Sequence, residues 1–119
     1  MKIFKIFFLF TLILVSTGYA QKSKIYTHEL VDYNHAVSLY MSKDYVASQL
    51  IFEKIQNDFD EASELRARSY YYEAFCAIRL KQKDADDLMN AFFEKFPTST
   101  KRNSAFMEVG DYYFNNRSY

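Results

Sequence analysis

The side chains best suited to metal binding are few and widely spread. His28 and His35 lie seven residues apart and would share a helix face if the first helix began early. No cysteine or acidic residue stands beside them at the spacing of a known zinc motif. We therefore expect both histidines to be structural or surface residues, and we expect no bound metal.

Three carboxylates in the stretch KDADDLMN suggest a calcium loop at first sight. They are Asp84, Asp86 and Asp87. A calcium loop of the EF-hand type needs a glycine for its turn and a glutamate at its twelfth position, and this stretch has neither. Helix capping and a solvated helix face are the better interpretation.

Nucleophilic chemistry has little basis in the sequence. Cys76 is the single cysteine, so no disulfide framework is possible within the chain, and its apolar surroundings predict a buried residue. Ser42 and Ser63 lack the glycine-rich elbow of a catalytic serine. Neither Gly18 nor Gly110 belongs to a phosphate-binding loop. We predict a protein that is not an enzyme and has no cofactor and no small-molecule substrate.

The first twenty residues have the organisation of a secretory signal peptide. Basic residues (Lys2, Lys5) are followed by an apolar run (Ile6–Val15) and then by small residues (Gly18, Ala20). This run of ten residues, apolar except for Thr11, is short of the roughly 20 that span a bilayer. We predict cleavage between Ala20 and Gln21, with residues 1–20 as the signal and residues 21–31 as a polar leader.

The charge of the remaining chain is nearly balanced. Without Lys2 and Lys5 it has 13 basic and 15 acidic side chains, a net charge of −2. This mixed surface gives no electrostatic basis for nucleic acid or an anionic membrane as the partner. We therefore expect membrane contact only through partner proteins.

A helical period runs from Asp32 to the end of the sequence and predicts five helices without a sheet. The second is expected over Tyr45–Phe59, with Leu50 on its packed side and Gln56 facing water. The third, about Ser63–Lys81, is apolar over so much of its circumference that it must lie between neighbours. Turns are expected at Lys43 and Asp44, and after Phe96, because Pro97 disfavours helical geometry in the residue before it. Asp84 and residues 98–100 are the capping candidates for the last two helices.

Small residues recur in alternate helices at a nearly fixed period. Ala36, Ala74 and Gly110 are separated by 38 and 36 residues. In the intervening helices Tyr45, Ser48 and Phe52 match Ala85, Leu88 and Phe92 at an offset of 40. A small residue in the first helix of a pair lets the second approach closely, and such pairs must stack to bury both faces.

These repeated residues resemble the tetratricopeptide repeat family. The best matches are DYVASQLIFEKI and SAFMEVGDYYFNNRSY, and the latter is similar to repeats in exported proteins of the Gram-negative cell envelope. The resemblance implies an all-α fold of antiparallel helical hairpins, stacked as a solenoid of about two and a half repeats over residues 32–119. It also implies a location in the periplasm or at the inner face of the outer membrane.

The resemblance further implies which side chains line the concave face of the solenoid. The expected partner-binding groove consists of Tyr33, Val37, Tyr40, Met41, Tyr71, Arg79, Met107 and Asp111. Tyr, Met and Arg are favoured at interaction surfaces. Phe75, Ile78 and Phe114 share this register, and for Phe75 and Ile78 a place in the core is the preferred interpretation.

The predicted function is a non-enzymatic scaffold that binds a protein or peptide partner in the cell envelope, as the N-terminal part of a longer repeat array. Two alternatives are a glycan- or peptidoglycan-associated module that uses exposed tyrosines, and the accessory region of a larger enzyme. The last helix, with Phe106, Val109, Tyr113 and Phe114, is expected to leave an apolar side uncovered, because Tyr119 only begins the next helix.

Overall fold

Five helices and no strand make up the part of the chain that the structure describes, which confirms the all-α prediction. The computed structural model describes residue 28, residues 30–60 and residues 63–116. The helices are α1 (residues 30–41), α2 (Tyr45–Asp58), α3 (Glu64–Arg79), α4 (Ala85–Lys95) and α5 (Arg102–Asn116). Residues 1–31 and 32–119 divide into two units, and the packing below is that within the second.

Some predictions from the sequence concern residues that the structure does not describe. The expected signal peptide, its cleavage point and the position of Tyr119 all lie outside the described residues. Among the helices of the described ranges, none combines the length and the apolar content needed to cross a membrane.

The turns after α1 and α3 are built alike. Lys43 and Lys81 both adopt positive φ angles, 66° and 56°, in the left-handed region. At the first turn the amides of Lys43 and Asp44 donate back to the carbonyls of Tyr40 and Leu39. At the second, Lys81 and Gln82 donate to Ile78 and Ala77 in the same pattern. This is the Schellman arrangement, and it recurs after 38 residues.

Two extra residues explain why the repeat offset grows within the second helical pair. Asp44 directly follows Lys43 and precedes α2, whereas Gln82 and Lys83 stand between Lys81 and Asp84. The offset is therefore 38 residues at the turn and 40 in the helix that follows.

A side-chain cap is present at the start of α2, but not at the starts of α3 and α4. The carboxylate of Asp44 accepts a hydrogen bond from the amide of Ala47 at 3.4 Å. Asp84 occupies the same place before α4, but its side chain makes no capping bond. α4 ends at Lys95, with Phe96 as its last flanking residue before Pro97.

α3 packs between α2 and α4, as its long apolar surface predicted. One core cluster joins α1 to α2 through buried residues: Tyr33, Ala36, Phe52, Ile55 and Phe59. The other joins α3, α4 and Ala105 of α5, and its buried members include Ala74, Ile78, Met89 and Phe92. Tyr72 packs against both clusters and connects them.

The orientation of α2 corrects two predictions. Gln56, expected in water, is only 8% exposed, and its amide donates to Glu73. Leu50, expected on the packed side, is largely exposed. The buried stripe of α2 runs through Ser48, Phe52 and Gln56, and Leu50 lies on the opposite side of the helix.

The three small residues of the repeat have different surroundings. Ala36 and Ala74 are fully buried, and the hydroxyl of Ser48 donates to the carbonyl of Ala36 at 2.8 Å. α1 and α2 thus approach as closely as the sequence predicted. Gly110 is exposed, and among the described residues no atom beyond its chain neighbours and its own helix backbone lies within 4 Å of the point where a Cβ would stand.

Candidate functional site

α1, α3 and α5 bring four tyrosines and two charged residues together. We call this group the tyrosine cluster: Tyr40, Tyr71, Tyr72, Tyr112, Arg79 and Glu108. The ring of Tyr72 meets Tyr40 edge-on at 5.2 Å and Tyr71 at 5.0 Å between centroids. The cluster therefore connects three helices that are not consecutive in the sequence.

α5 joins the cluster through its polar groups. The hydroxyl of Tyr71 donates to the carboxylate of Glu108 at 2.5 Å. The hydroxyl of Tyr112 donates to the carbonyl of Ile78 at 3.1 Å, and the guanidinium of Arg79 lies 5.5 Å from the centre of the Tyr112 ring. These contacts fix α5 against α3.

The environment keeps the phenols of the cluster protonated. Burial raises the pKa of Tyr71 and the nearby Glu108 carboxylate raises it further. Burial and the same carboxylate raise the pKa of Tyr72. Burial also raises the pKa of Tyr40, although the nearby Arg79 guanidinium opposes the change. The Tyr71 hydroxyl donates its proton to Glu108, and Arg79 and Glu108 supply the exposed charges.

The predicted groove residues divide into a supporting layer and an exposed layer. Tyr33 and Tyr71 are buried, and Val37 and Tyr40 are half-buried. Met41, Arg79, Met107 and Asp111 are exposed. Of these eight residues, Tyr40, Tyr71 and Arg79 meet in the tyrosine cluster, and Tyr33 contacts its member Tyr72 at 6.4 Å between ring centroids. Phe75 and Ile78 are buried, in agreement with the core interpretation.

Four residues at this site were not foreseen as part of it: Tyr72, Lys101, Glu108 and Tyr112. The ammonium group of Lys101 lies 5.2 Å from the ring centre of Tyr71 and 5.6 Å from that of Tyr72. A usable signal was the spacing, because Tyr71 and Glu108 are 37 residues apart, about one repeat.

Glu64 anchors the segment before α5 to the start of α3. Its carboxylate accepts hydrogen bonds from the hydroxyls of Thr100 at 2.6 Å and Ser99 at 3.1 Å, and from Arg68 at 3.4 Å. Burial opposes the charge of Glu64, but these three donors outweigh it and lower the pKa. A cleft of about 310 Å³ lies beside this group, between α3 and Pro97. Residues 98–100, predicted as caps, thus connect α3 to the approach to α5.

The remaining candidates for chemistry stand apart from one another. In residues 30–60 and 63–116, no three histidine, cysteine or acidic side chains converge as metal ligands would. His35 is exposed, and Asp86 accepts a hydrogen bond from the hydroxyl of Tyr113. Cys76 is fully buried in α3.

The Cys76 thiol is expected to resist modification in the folded protein. Burial raises its pKa to about 11. At pH 8 this lowers the thiolate fraction by about 100-fold relative to an ordinary cysteine, and burial slows the reagent further. Ellman's reagent should therefore react at least about 100-fold more slowly with native than with unfolded protein. The unfolded sample is the control and should release one thiol per chain, whereas comparable rates would show that Cys76 is accessible.

Comparison with protein-family models, with curated proteins and with solved structures finds no match to this chain.

Proposed function

We propose that the chain is a non-enzymatic scaffold for protein binding, built of helical hairpins that stack in the manner of tetratricopeptide repeats. The repeated Schellman turns at Lys43 and Lys81 support this architecture, since they close equivalent helices after 38 residues. The buried small residues Ala36 and Ala74 recur at the same interval.

The pattern of helix contacts supports stacking. The helices pair as α1 with α2 and α3 with α4, and α5 begins a third pair. α3 touches both α1 and α2, and α5 touches both α3 and α4. Tyr72 of α3 contacts Tyr40 of α1 and stacks on Phe52 of α2 at 5.1 Å. α5 contacts α3 through Glu108, and it contacts α4 where Phe106 stacks on Phe93 at 4.2 Å. Repeated contacts of this kind are what extend a solenoid.

The observation that carries the proposed function is the tyrosine cluster, which joins α1, α3 and α5, together with the exposed side chains that these three helices carry. α1 contributes Met41, α3 contributes Arg79, and α5 contributes Met107 and Asp111, all exposed. Met adapts to varied partners, and Arg is enriched at interfaces. The tyrosine cluster holds the three helices together in the absence of a partner, so little ordering is needed on binding.

The proposed location is the periplasm or the inner face of the outer membrane. The supporting pattern is the charged, apolar and small-residue order of residues 1–20. The net charge of −2 over residues 21–119 favours contact with the membrane through partners rather than directly.

Photo-crosslinking in the producing cell tests the groove. A photoreactive residue at Met41 or at Asp111 should capture the same partner protein, because both positions belong to the exposed layer. At Leu50, which is equally accessible on α2, it should not. The double variant Met41→Ala/Arg79→Ala should lower capture by about tenfold, with unchanged helicity by circular dichroism. The matched control Val46→Ala/Leu50→Ala removes exposed apolar groups of α2 and should capture normally.

The same variants separate this function from glycan binding. A protein-binding scaffold should remain in the supernatant when mixed with purified cell-wall sacculi. The chain could instead sediment with the sacculi, and the variant Met41→Ala/Arg79→Ala could abolish this sedimentation. That result would show that the groove binds peptidoglycan and not a protein partner. Equal capture at positions 41, 50 and 111 would count against any specific groove.

A further inference from the structure

We propose that the interface between α2 and α3 is a joint, at which the hairpin of α1 and α2 detaches from α3, α4 and α5 while these three helices stay packed together. The joint is lined by a polar seam of six side chains: Ser48, Gln49, Gln56, Glu73, Cys76 and Gln82. Detachment breaks the contact between Tyr40 and Tyr72 in the tyrosine cluster. The groove then loses its α1 side, a consequence that rests on the function proposed above, whereas the joint itself does not.

Each side of the joint has its own apolar core. One cluster lies between α1 and α2, and Phe52 is fully buried in it. The other lies between α3 and α4 and extends to α5, and Phe92 is fully buried there. Leu65 and Tyr72 are the α3 residues that pack against the first cluster, so they supply its apolar contact across the joint.

The other buried contacts across the joint are polar. The side-chain amides of Gln49 and Gln82 each donate to the other's carbonyl oxygen, at 2.8 and 2.9 Å. The amide of Gln56 donates to the carboxyl group of Glu73. Both pairs connect the α2 side to the α3 side, and Gln56 and Glu73 are each only 8% exposed. The hairpin is therefore held to α3 in large part by hydrogen bonds.

Cys76 and Ala77 show how α3 divides between its two interfaces. Cys76 is fully buried, yet it belongs to neither apolar cluster. Burial raises the pKa of its thiol, and the hydroxyl of Ser48 on α2 is close enough to lower it in part. Ala77 is also fully buried, but it belongs to the cluster that α3 shares with α4. Two neighbouring positions thus face different interfaces.

The polar seam makes the joint easier to open than the apolar interface of α3 with α4. Opening exchanges the hydrogen bonds of the seam for hydrogen bonds to water, and the two nearly cancel. Buried apolar side chains have no such compensation when they meet water. Glu73 adds a cost to the closed state, because burial disfavours its ionised form and raises its pKa. Opening at the joint should therefore need less free energy than global unfolding.

Thiol labelling of Cys76 measures the joint in the full chain. The rate with excess Ellman's reagent under native conditions is compared with the rate for the unfolded chain at the same pH, and their ratio is the protection of the thiol. Protection should be at least about tenfold lower than the folded-to-unfolded ratio obtained from urea unfolding. It should also depend less on urea, because detachment exposes less surface than unfolding.

Two results of this measurement would overturn the joint. Protection equal to the folded-to-unfolded ratio, with the same urea dependence, would show that only global unfolding exposes Cys76. A native labelling rate that does not respond to urea at all would show that the reagent reaches the thiol without detachment of α2.

The variant Cys76→Ala/Ala77→Cys is the matched control, because it moves the thiol by one residue to the interface with α4. Its protection should equal the folded-to-unfolded ratio of the same variant within about threefold, since α3 and α4 stay together when the joint opens. A shortfall as large as that of Cys76 would mean that α3 opens on both sides, and this would overturn the proposal.

A second pair of variants tests the role of the polar seam. Gln56→Met/Glu73→Met replaces a polar contact across the joint with apolar groups. It should raise the protection of Cys76 at least about threefold relative to the folded-to-unfolded ratio of the same variant. Val46→Ala/Leu50→Ala changes only exposed residues of α2 and should leave that relation unaltered. Equal protection in both variants would contradict the seam. These measurements involve no partner, so their failure is separate from a failure of crosslinking in the cell.

Discussion

The Phe52→Ala variant is expected to lose about 3 to 5 kcal/mol of unfolding free energy. Phe52 is fully buried, stacks on Tyr72 at 5.1 Å and meets the edge of Tyr33 at 5.9 Å. Its ring therefore touches α1 and α3 from its place on α2. Truncation removes a large buried surface and leaves a cavity where three helices meet.

The matched control is Val46→Ala on the same helix. Val46 is exposed, so its truncation should change the unfolding free energy by less than about 0.5 kcal/mol. Urea unfolding followed by circular dichroism measures both variants against the original chain. A loss below about 1 kcal/mol for Phe52→Ala would show that the three helices do not depend on this contact.

Much of the fold was predictable because its signals are local. The helical period identified all five helices, and the apolar circumference of α3 required neighbours on two sides, as observed for α2 and α4. Lys43 and Asp44 form the expected turn, and the helix before Pro97 ends next to it. These features depend on residues close in sequence, so periodicity and backbone stereochemistry suffice.

The errors arose because the sequence does not specify which side of α2 meets its neighbours. Gln56 is polar, and its position on α2 can face water or a neighbouring helix. The direction from which α3 crosses α2 decides the outcome, and a buried carboxyl at Glu73 supplies the partner. Leu50 was assigned to the packed side because the crossing direction was not known from the sequence. Crossing directions depend on contacts between distant residues, which one sequence does not specify.

The candidate site was likewise predicted in part and missed in part. The repeat register brought Tyr40, Tyr71 and Arg79 into one prediction, and they do meet. Glu108 and Tyr112 were missed because their contacts depend on how α5 crosses α3. The separation of Tyr71 from Glu108 is 37 residues, close to the intervals of 38 and 36 between the repeated small residues. Searching for polar side chains at one-repeat spacing would have found this contact, but not the bond from Tyr112 to the backbone carbonyl of Ile78.

Glu73 is a carboxyl group buried between α2 and α3. Burial raises its pKa, the hydrogen bond from Gln56 opposes that change, and the charges of Glu53 and Asp84 add to it. The folded protein therefore holds a proton on Glu73 over a pH range in which the unfolded chain has released it. Unfolding free energy should fall as pH rises from the ordinary value of 4.5 through the raised pKa.

The Gln56→Met variant should be destabilised by about 2 to 3 kcal/mol at pH 8, because the Glu73 carboxylate loses its amide donor in a buried place. Below the ordinary carboxyl pKa the group is neutral in both states. The deficit should then shrink to about 1 kcal/mol, the worth of a neutral hydrogen bond. Urea unfolding at pH 4 and pH 8 measures the difference.

The double variant Gln56→Met/Glu73→Met is the control for this prediction. It removes the donor and the acceptor together and replaces them with apolar groups of similar length, so no buried charge remains. It should recover most of the stability lost at pH 8, since replacing a buried polar pair by packed apolar residues is often neutral or stabilising. It should also lack the fall in stability that Glu73 causes above pH 4.5. A deficit for Gln56→Met that is equal at both pH values would mean that lost packing, and not the carboxylate, causes the destabilisation.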